Sequence, residues 1–248
     1  MLGLEDSLVG ITDYCLYPEP IVNEKNRVGG TKNPRLREVI EARPDLVIVN
    51  TDENRRQTFD QLQAAGLNLL VTQTDSLDEV EQTWTRLGEA TGTVPAALQH
   101  REAIAAARAH NREALRGVEH LPALVVIWRT PWMASGHGTY MESVLSECGF
   151  RNVMESTDSK WIRIALRGDD KGDRVAWDVL RSHCGVVLLP SEPYRFEEPD
   201  RDQFTALGIA RDRVRLVDGV LLSWWLSRTV EALRSFRMLR FVLAGRES

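Results

Sequence analysis

The chain lacks the features that define several large protein classes. Its 248 residues hold three cysteines, Cys15, Cys148 and Cys184, far apart and without a CxxC. That excludes a zinc ribbon or a thioredoxin-type redox pair and leaves at least one thiol free. The five histidines, at 100, 110, 120, 137 and 183, form neither HExxH nor HxH, so spacing gives no metal site within the protein. There is no apolar run of the roughly 18 residues that a membrane-spanning helix needs. There is no basic surplus either: 31 Lys and Arg stand against 36 Asp and Glu, mixed along the chain, for a net charge of −5. A general nucleic-acid binder would carry the opposite balance. Residues 1–10 contain two acids and no Lys or Arg, and lack the basic and then apolar order of a signal peptide. Read from Met1, the chain is expected in the cytoplasm; with an upstream signal it would be periplasmic or lipid-anchored.

What is present is an ordinary globular composition, 43% hydrophobic and 27% charged, of a size for one large domain or two small lobes. DLVIVN (45–50) and GVVLLP (185–190) are short continuous Val/Ile/Leu runs, the pattern of parallel strands covered on both faces. After each comes an acidic loop, a helical stretch (Phe59, Leu62 and Ala65 in one; Phe204 and Leu207 in the other), a glycine (Gly66, Gly208) and a second apolar strand (67–71, 214–217). The same device used twice predicts two similar α/β lobes. Between them, Ser76-Leu77-Asp78-Glu79 is a capping box opening a helix that ends near Gly88 or Gly92. Residues 94–118 then run without glycine until Gly117, a helix of about 35 Å at 1.5 Å per residue, enough to cross from lobe to lobe. LVVIW (124–128) opens the second lobe, and 221–243 reads as one final helix. The polar stretch 155–182, with RGDDKGD at 167–173, reads as loop and short helices.

In open α/β sheets ligands lie beyond the carboxyl ends of the strands. The loops there (12–18, 29–34, 50–54, 129–140, 191–196 and 218–225) hold Tyr14, Tyr17, Trp132, Tyr140, Tyr194, Phe196, Trp224 and Trp225. Aromatics in such loops suit a large, flat, amphipathic ligand; the plainer reading is core or hinge packing. Gly29-Gly30-Thr31-Lys32 lacks the earlier glycine of a phosphate loop, and reads as a tight turn presenting Lys32 and Asn33. Ser135-Gly136-His137-Gly138 is not GxSxG and reads as a flexible glycine-rich turn rather than a hydrolase site. Cys15 and His137 are weak candidates for ligating a chelated metal. Glu53 and Glu192 occupy matching places in the two repeats. Each either starts its helix, where an acid favours the dipole, or forms an outward pair that a partner grips with arginines. Arg234, Arg237 and Arg240 share a helix face that reads as solvated.

VGITDYCLYP (9–18), RVGGTKNPRLREVIEARPDLVIVN (27–50), ENRRQTFDQLQAAGLNLLV (53–71), GTYMESVLSECGFRNV (138–153), VVLLPSEPYRF (186–196) and RVRLVDGVLLSWWLSRT (213–229) together resemble the cobalamin- and iron-chelate-binding group of ABC-transporter substrate-binding proteins. Their order is the family's and they cover most of the chain; VGGTKNP, RPDLV and VDG-x-x-x-SW in combination carry the specificity. The resemblance implies two Rossmann-like lobes with central, mostly parallel sheets joined by one long helix. The expected divisions are an N-terminal lobe at 1–93, a bridging helix at 94–119 and a C-terminal lobe at 120–248. Members normally begin with a strand and helix of the type RIVSLxPSxTE; the first N-lobe strand is therefore expected to be missing here.

By the same resemblance the protein is a monomeric, non-enzymatic solute-binding protein without an intrinsic cofactor. A cobalamin-like corrinoid or Fe(III) chelate would sit between the lobes on Tyr14, Cys15, Tyr17, Lys32, Asn33, Trp132, Tyr140, Tyr194 and Trp224. Glu53 and Glu192 would dock into basic pockets of the permease, after a small hinge motion at most. The competing expectation is a cytoplasmic binding or sensing protein on the same fold. An enzyme is a third class, for which no catalytic constellation is visible.

Overall fold

The computed structural model describes residues 2–166 and 175–245; the RGDDKGD run lies outside them. The chain divides into two compact units, 1–73 with 85–98, and 74–84 with 99–248.

Unit 1 opens with α1 (Glu19–Asn23) behind Pro18 and α2 (Leu36–Glu41), and then builds its parallel pair: β1 (Val47–Asn50), α3 (Arg56–Ala64) and β2 (Leu69–Thr72). β1 runs parallel to β2 from Val47↔Leu69 to Asn50↔Thr72. Gly66, with φ +79°, takes the left-handed turn that ends α3, a conformation that costs glycine little. Val49, Leu62 and Leu70 are buried, each worth about 1.5–3 kcal/mol when fully withdrawn from water. α4 (Leu77–Thr91) and α5 (Val94–Ala114) contribute to both units. Half of the capping box forms as expected, with Ser76 Oγ accepting from Glu79 N at 3.2 Å, while Glu79 Oε2 reaches one residue further back and accepts from Asp75 N at 2.6 Å. Gly88 lies inside α4, where it makes room for α5: a Cβ there would stand 2.6 Å from the Ala97 Cβ. The turn between the helices falls at Gly92, φ +70°.

Unit 2 holds a seven-stranded sheet. Its strands are β3 (Leu121–Arg129), β4 (Trp132–Ser135), β5 (Phe150–Asn152), β6 (Trp161–Ala165), β7 (Val175–Ala176), β8 (Val186–Pro190) and β9 (Val214–Val217), ordered β7-β6-β4-β3-β8-β9 with β5 also on β3. β5, β8 and β9 extend the sheet in parallel, whereas β4 is antiparallel to both β3 and β6. All five residues of β8 are buried, as an uninterrupted apolar run requires. Leu124, Val126, Val187, Leu189 and Val214 share a core with Phe196, Phe204 and Trp177. The helices are α6 (Tyr140–Glu147), α7 (Trp177–His183), α8 (Glu198–Ala206), α9 (Val220–Ser223) and α10 (Thr229–Leu243).

The strand–loop–helix–glycine–strand device occurs in both units. β8 and β9 pair from Val187↔Val214 to Pro190↔Val217, and Gly208 (φ +99°) matches Gly66. In each unit the ladder runs one residue into the loop: Thr51 N donates to Thr72 O and Ser191 N to Val217 O, both at 3.0 Å.

Three expectations are corrected. The stretch 155–182 contains β6, in which Ile162 and Ile164 are buried while Trp161 and Arg163 are exposed, a period-two pattern among polar neighbours. The final helix is broken between Ser223 and Thr229, where Leu226 takes φ +66°. Arg240 is not solvated: at 7% exposure it donates to Gly149 O at 3.0 Å and Glu119 O at 2.6 Å. Arg234 is exposed, and Arg237 lies 3.4 Å from Asn111 Oδ1.

Candidate functional site

At the carboxyl end of β1 three loops of unit 1 are stitched together. Asn50 Oδ1 accepts from Asp52 N and Glu53 N, which folds the chain into an Asx turn directly after the strand. Asn54 Oδ1 accepts from Asn50 N at 2.8 Å, and its Nδ2 donates to Thr31 O at 2.7 Å. Lys32 Nζ caps Asp52 O, and Thr31 Oγ1 donates to Glu53 Oε2 at 3.0 Å. Gly29-Gly30-Thr31-Lys32 is thus a tight turn closed by a Gly29↔Pro34 bridge. One nitrogen of Arg27 donates to the carbonyls of Thr12, Asp13 and Cys15 at 2.9–3.1 Å and so shapes the loop that carries Tyr14, Cys15 and Tyr17. The Tyr14 ring lies against Gly30 and is 65% exposed; Tyr17 is 55% exposed. Asn33 is exposed, and Cys15 Sγ is 3.5 Å from Thr12 Oγ1.

The corresponding end of unit 2 gathers the loops after β3, β8 and β9. Trp132 stacks on Phe196 at 6.0 Å and meets Phe204 edge-on at 5.4 Å, so much of it belongs to the core. Tyr194 is half-buried and packs against Phe196 at 4.7 Å and Trp128 at 5.6 Å. Trp128 is 42% exposed. Sequence reasoning missed it by assigning it to the interior of a strand; its place at the carboxyl end of β3 was the available signal. Trp224 donates from Nε1 to Glu192 Oε2 at 2.8 Å. The loops of Glu192 and Gly219 touch at backbone level: a Cβ on Gly219 would stand 2.1 Å from Glu192 N.

Glu53 precedes α3 by three residues and Glu192 precedes α8 by six, so neither lies in the first turn of its helix. In α8 that place is taken by the Glu197–Asp200 capping box. Tyr140 stands apart from the other candidate aromatics. It is 6% exposed, its hydroxyl is 3.1 Å from Thr229 Oγ1, and burial pushes its phenol up to about 12. Ser135 is buried and paired with Thr139 Oγ1 at 2.9 Å, while His137 meets Glu142 at 3.0 Å, so these side chains form no nucleophile–base pair. The Gly136 turn is closely packed rather than loose: a Cβ would stand 2.0 Å from Ser159 O. Among the described residues no three His, Cys, Asp or Glu side chains group as metal ligands, and no helix is long and apolar enough to cross a membrane.

Two α/β units, each with a parallel strand–helix–strand device and polar and aromatic loops at its strand ends, make up a fold that solved periplasmic binding proteins share. The periplasmic heme-binding protein RhuT from Roseiflexus sp. RS-1 is similar with a TM-score of 0.79 and 18% identity over 98% of this chain and 93% of that one. The periplasmic vitamin B12-binding protein BtuF of Vibrio cholerae is similar at 0.74 and 17%, over 99% and 92%. The periplasmic binding protein family model matches residues 1–167, and the chain belongs to that family. The vitamin B12-binding protein of Photorhabdus laumondii is 22% identical over 163 residues, 66% of this chain and 59% of the relative. The match thus spans about three-fifths of that curated relative's length.

Proposed function

We propose that the protein is the solute-binding component of an ABC importer, taking a cobalamin-like corrinoid or a ferric chelate such as haem and delivering it to a permease. The observation that carries this reading is the paired construction of the two units. Each has aromatic side chains in the loops at its strand ends, and each holds one glutamate, Glu53 or Glu192, by a hydrogen bond from the same loop cluster. In unit 1 exposed Tyr14 and Tyr17, and in unit 2 exposed Trp128 with half-buried Tyr194, each offer π-faces of the kind that suits a broad, flat ligand. Lys32 and Asn33 add polar edges. The names of the relatives support the ligand class, since curated relatives bind vitamin B12 and solved neighbours bind heme. On this reading 1–93 is one lobe, 94–119 the bridging helix and 120–248 the other lobe, and the protein works in the periplasm without turning over its ligand. Glu53 and Glu192 serve as acidic contacts for permease arginines.

The test is uptake of labelled cobalamin or haem by cells with the matching permease. The Glu53→Ala/Glu192→Ala double variant is expected to bind ligand normally and to lose uptake. Undiminished uptake by that variant would sink the docking role. Ligand binding by the protein together with uptake that is unchanged when its gene is deleted would point to the cytoplasmic sensing alternative.

A further inference from the structure

We propose that Arg129 is the anion-recognising residue of the aromatic cluster in unit 2, and that it selects ligands bearing a peripheral carboxylate. The proposal rests on the chelate-binding reading and deepens it. Arg129 ends β3, next to exposed Trp128 and opposite Trp132 across the β3–β4 ladder. Its guanidinium is anchored from behind. Nε lies 3.3 Å from Oδ1 of Asp200, whose side chain is 5% exposed. That oxygen has no hydrogen bond of its own, while the other, Oδ2, accepts from Glu197 N at 3.0 Å and caps α8. The guanidinium also meets the phenol of Tyr194, the ring that packs on Trp128.

A guanidinium carries five N–H donors in a rigid fork. The Asp200 contact is an ion pair without a hydrogen bond, Tyr194 takes the minority of the donors, and 46% of the Arg129 side chain remains exposed. The neighbouring acids have their own cations: Glu197 faces Arg195 at 3.8 Å, and Glu198 faces Arg201 at 3.2 Å and Arg211 at 2.6 Å. The result is a fixed fork beside two aromatic rings. That is the geometry for gripping a carboxylate at the rim of a flat ligand whose body lies on the rings. Lysine would offer a point charge without the fork.

The test uses the full chain and two ligand pairs that differ only in a carboxylate: haem against its dimethyl ester, and a cobalamin monocarboxylic acid against cobalamin. In tryptophan-quenching titrations the wild type is expected to bind the carboxylate-bearing member of a pair about tenfold more tightly, the scale of one charge-assisted bond. Arg129→Gln is expected to bind both members alike while the ester or amide form keeps its wild-type affinity. Should Arg129→Gln not fold, Arg129→Lys carries the test, with the preference falling at least about threefold because the bidentate fork is gone. Equal affinities in the wild type, or a preference that survives these substitutions, overturn the role of Arg129 and leave chelate binding standing. No binding of any of the four overturns the chelate reading and the subsite with it.

Discussion

Trp224 gives its indole N–H to Glu192 at 2.8 Å, joining the aromatic loop after β9 to the acidic loop after β8. Glu53 of unit 1 is held in the same manner by the Thr31 hydroxyl at 3.0 Å, with Lys32 Nζ 3.9 Å away. A carboxylate fixed this way presents its charge at a defined place and loses less side-chain freedom on meeting a partner. The loop that holds each glutamate is also the loop proposed to touch ligand.

The Trp224–Glu192 bond is expected to appear as a pairwise coupling. Trp224→Phe keeps the ring and removes the donor. Glu192→Ala removes the acceptor. A hydrogen bond to a charged group is worth about 1.5–3 kcal/mol, and partial exposure lowers that to about 1 kcal/mol here. In urea unfolding the double variant should be less destabilised than the sum of the singles by about that amount; strict additivity would show the bond contributes nothing.

Gly219 is required by the backbone of Glu192. A Cβ at 219 would lie 2.1 Å from Glu192 N and 2.9 Å from its Cα and O, and neither strand end can yield without breaking the β8–β9 ladder. Gly219→Ala is expected to cost about 3 kcal/mol or more, at the upper end of overpacking. Gly30→Ala, whose Cβ would meet the Tyr14 ring at 3.4 Å, is expected to change stability by less than about 0.5 kcal/mol. Similar thermal midpoints for the two variants would contradict this packing.

Arg240 and Arg234 lie on the same helix and separate cleanly by environment. Arg240→Met removes two hydrogen bonds, one to Gly149 O, which keeps Leu121 N as a donor at 2.9 Å, and one to the carbonyl of exposed Glu119, at about 1–3 kcal/mol in all. Exposed Arg234→Ala is expected within about 0.5 kcal/mol of wild type. Denaturant midpoints check the contrast, and an Arg240→Met midpoint equal to wild type would refute it.

Burial holds the Cys184 thiol up to about 11, above its ordinary value of 9.0, and raises Cys148 in the same direction. The folded state therefore keeps protons that the unfolded chain releases. The stability from the Cys184 thiol is full below about pH 9 and is lost as pH rises through about 11. Urea midpoints of wild type should fall between pH 9 and 11 more steeply than those of Cys184→Ala. Parallel curves would show that the buried thiol makes no such contribution.

The fold was legible where one physical cause dominates a stretch. VVLLP reads as a doubly covered strand because every residue is apolar, and the Gly66 and Gly208 turns are visible because left-handed backbone favours glycine. β6 was hidden because alternation over five residues is short and its flanks are polar. The break at Leu226 carries no glycine or proline; it depends on contacts such as the Trp224–Glu192 bond, which join residues 32 apart in sequence. Arg240 read as solvated since helical spacing shows a shared face, not what packs on it. At the site, aromatic loops could be listed from sequence, but which rings are exposed could not. Tyr140 and Tyr14 carry the same chemistry at 6% and 65% exposure. The anchoring of Arg129 by Asp200, 71 residues away, has no local signature.

The most direct measurement is a titration of the purified full chain with cobalamin and with haem, followed by ligand absorbance and by tryptophan emission. Trp128, Trp132 and Trp224 all lie in or beside the strand-end loops of unit 2, so a chromophore seated there quenches them strongly. The account predicts saturable binding of one of the two at micromolar or tighter affinity, about −8 kcal/mol or better, weakened at least about tenfold by Tyr194→Ala. Absence of saturable quenching by either ligand, in a chain shown to be folded, would contradict it.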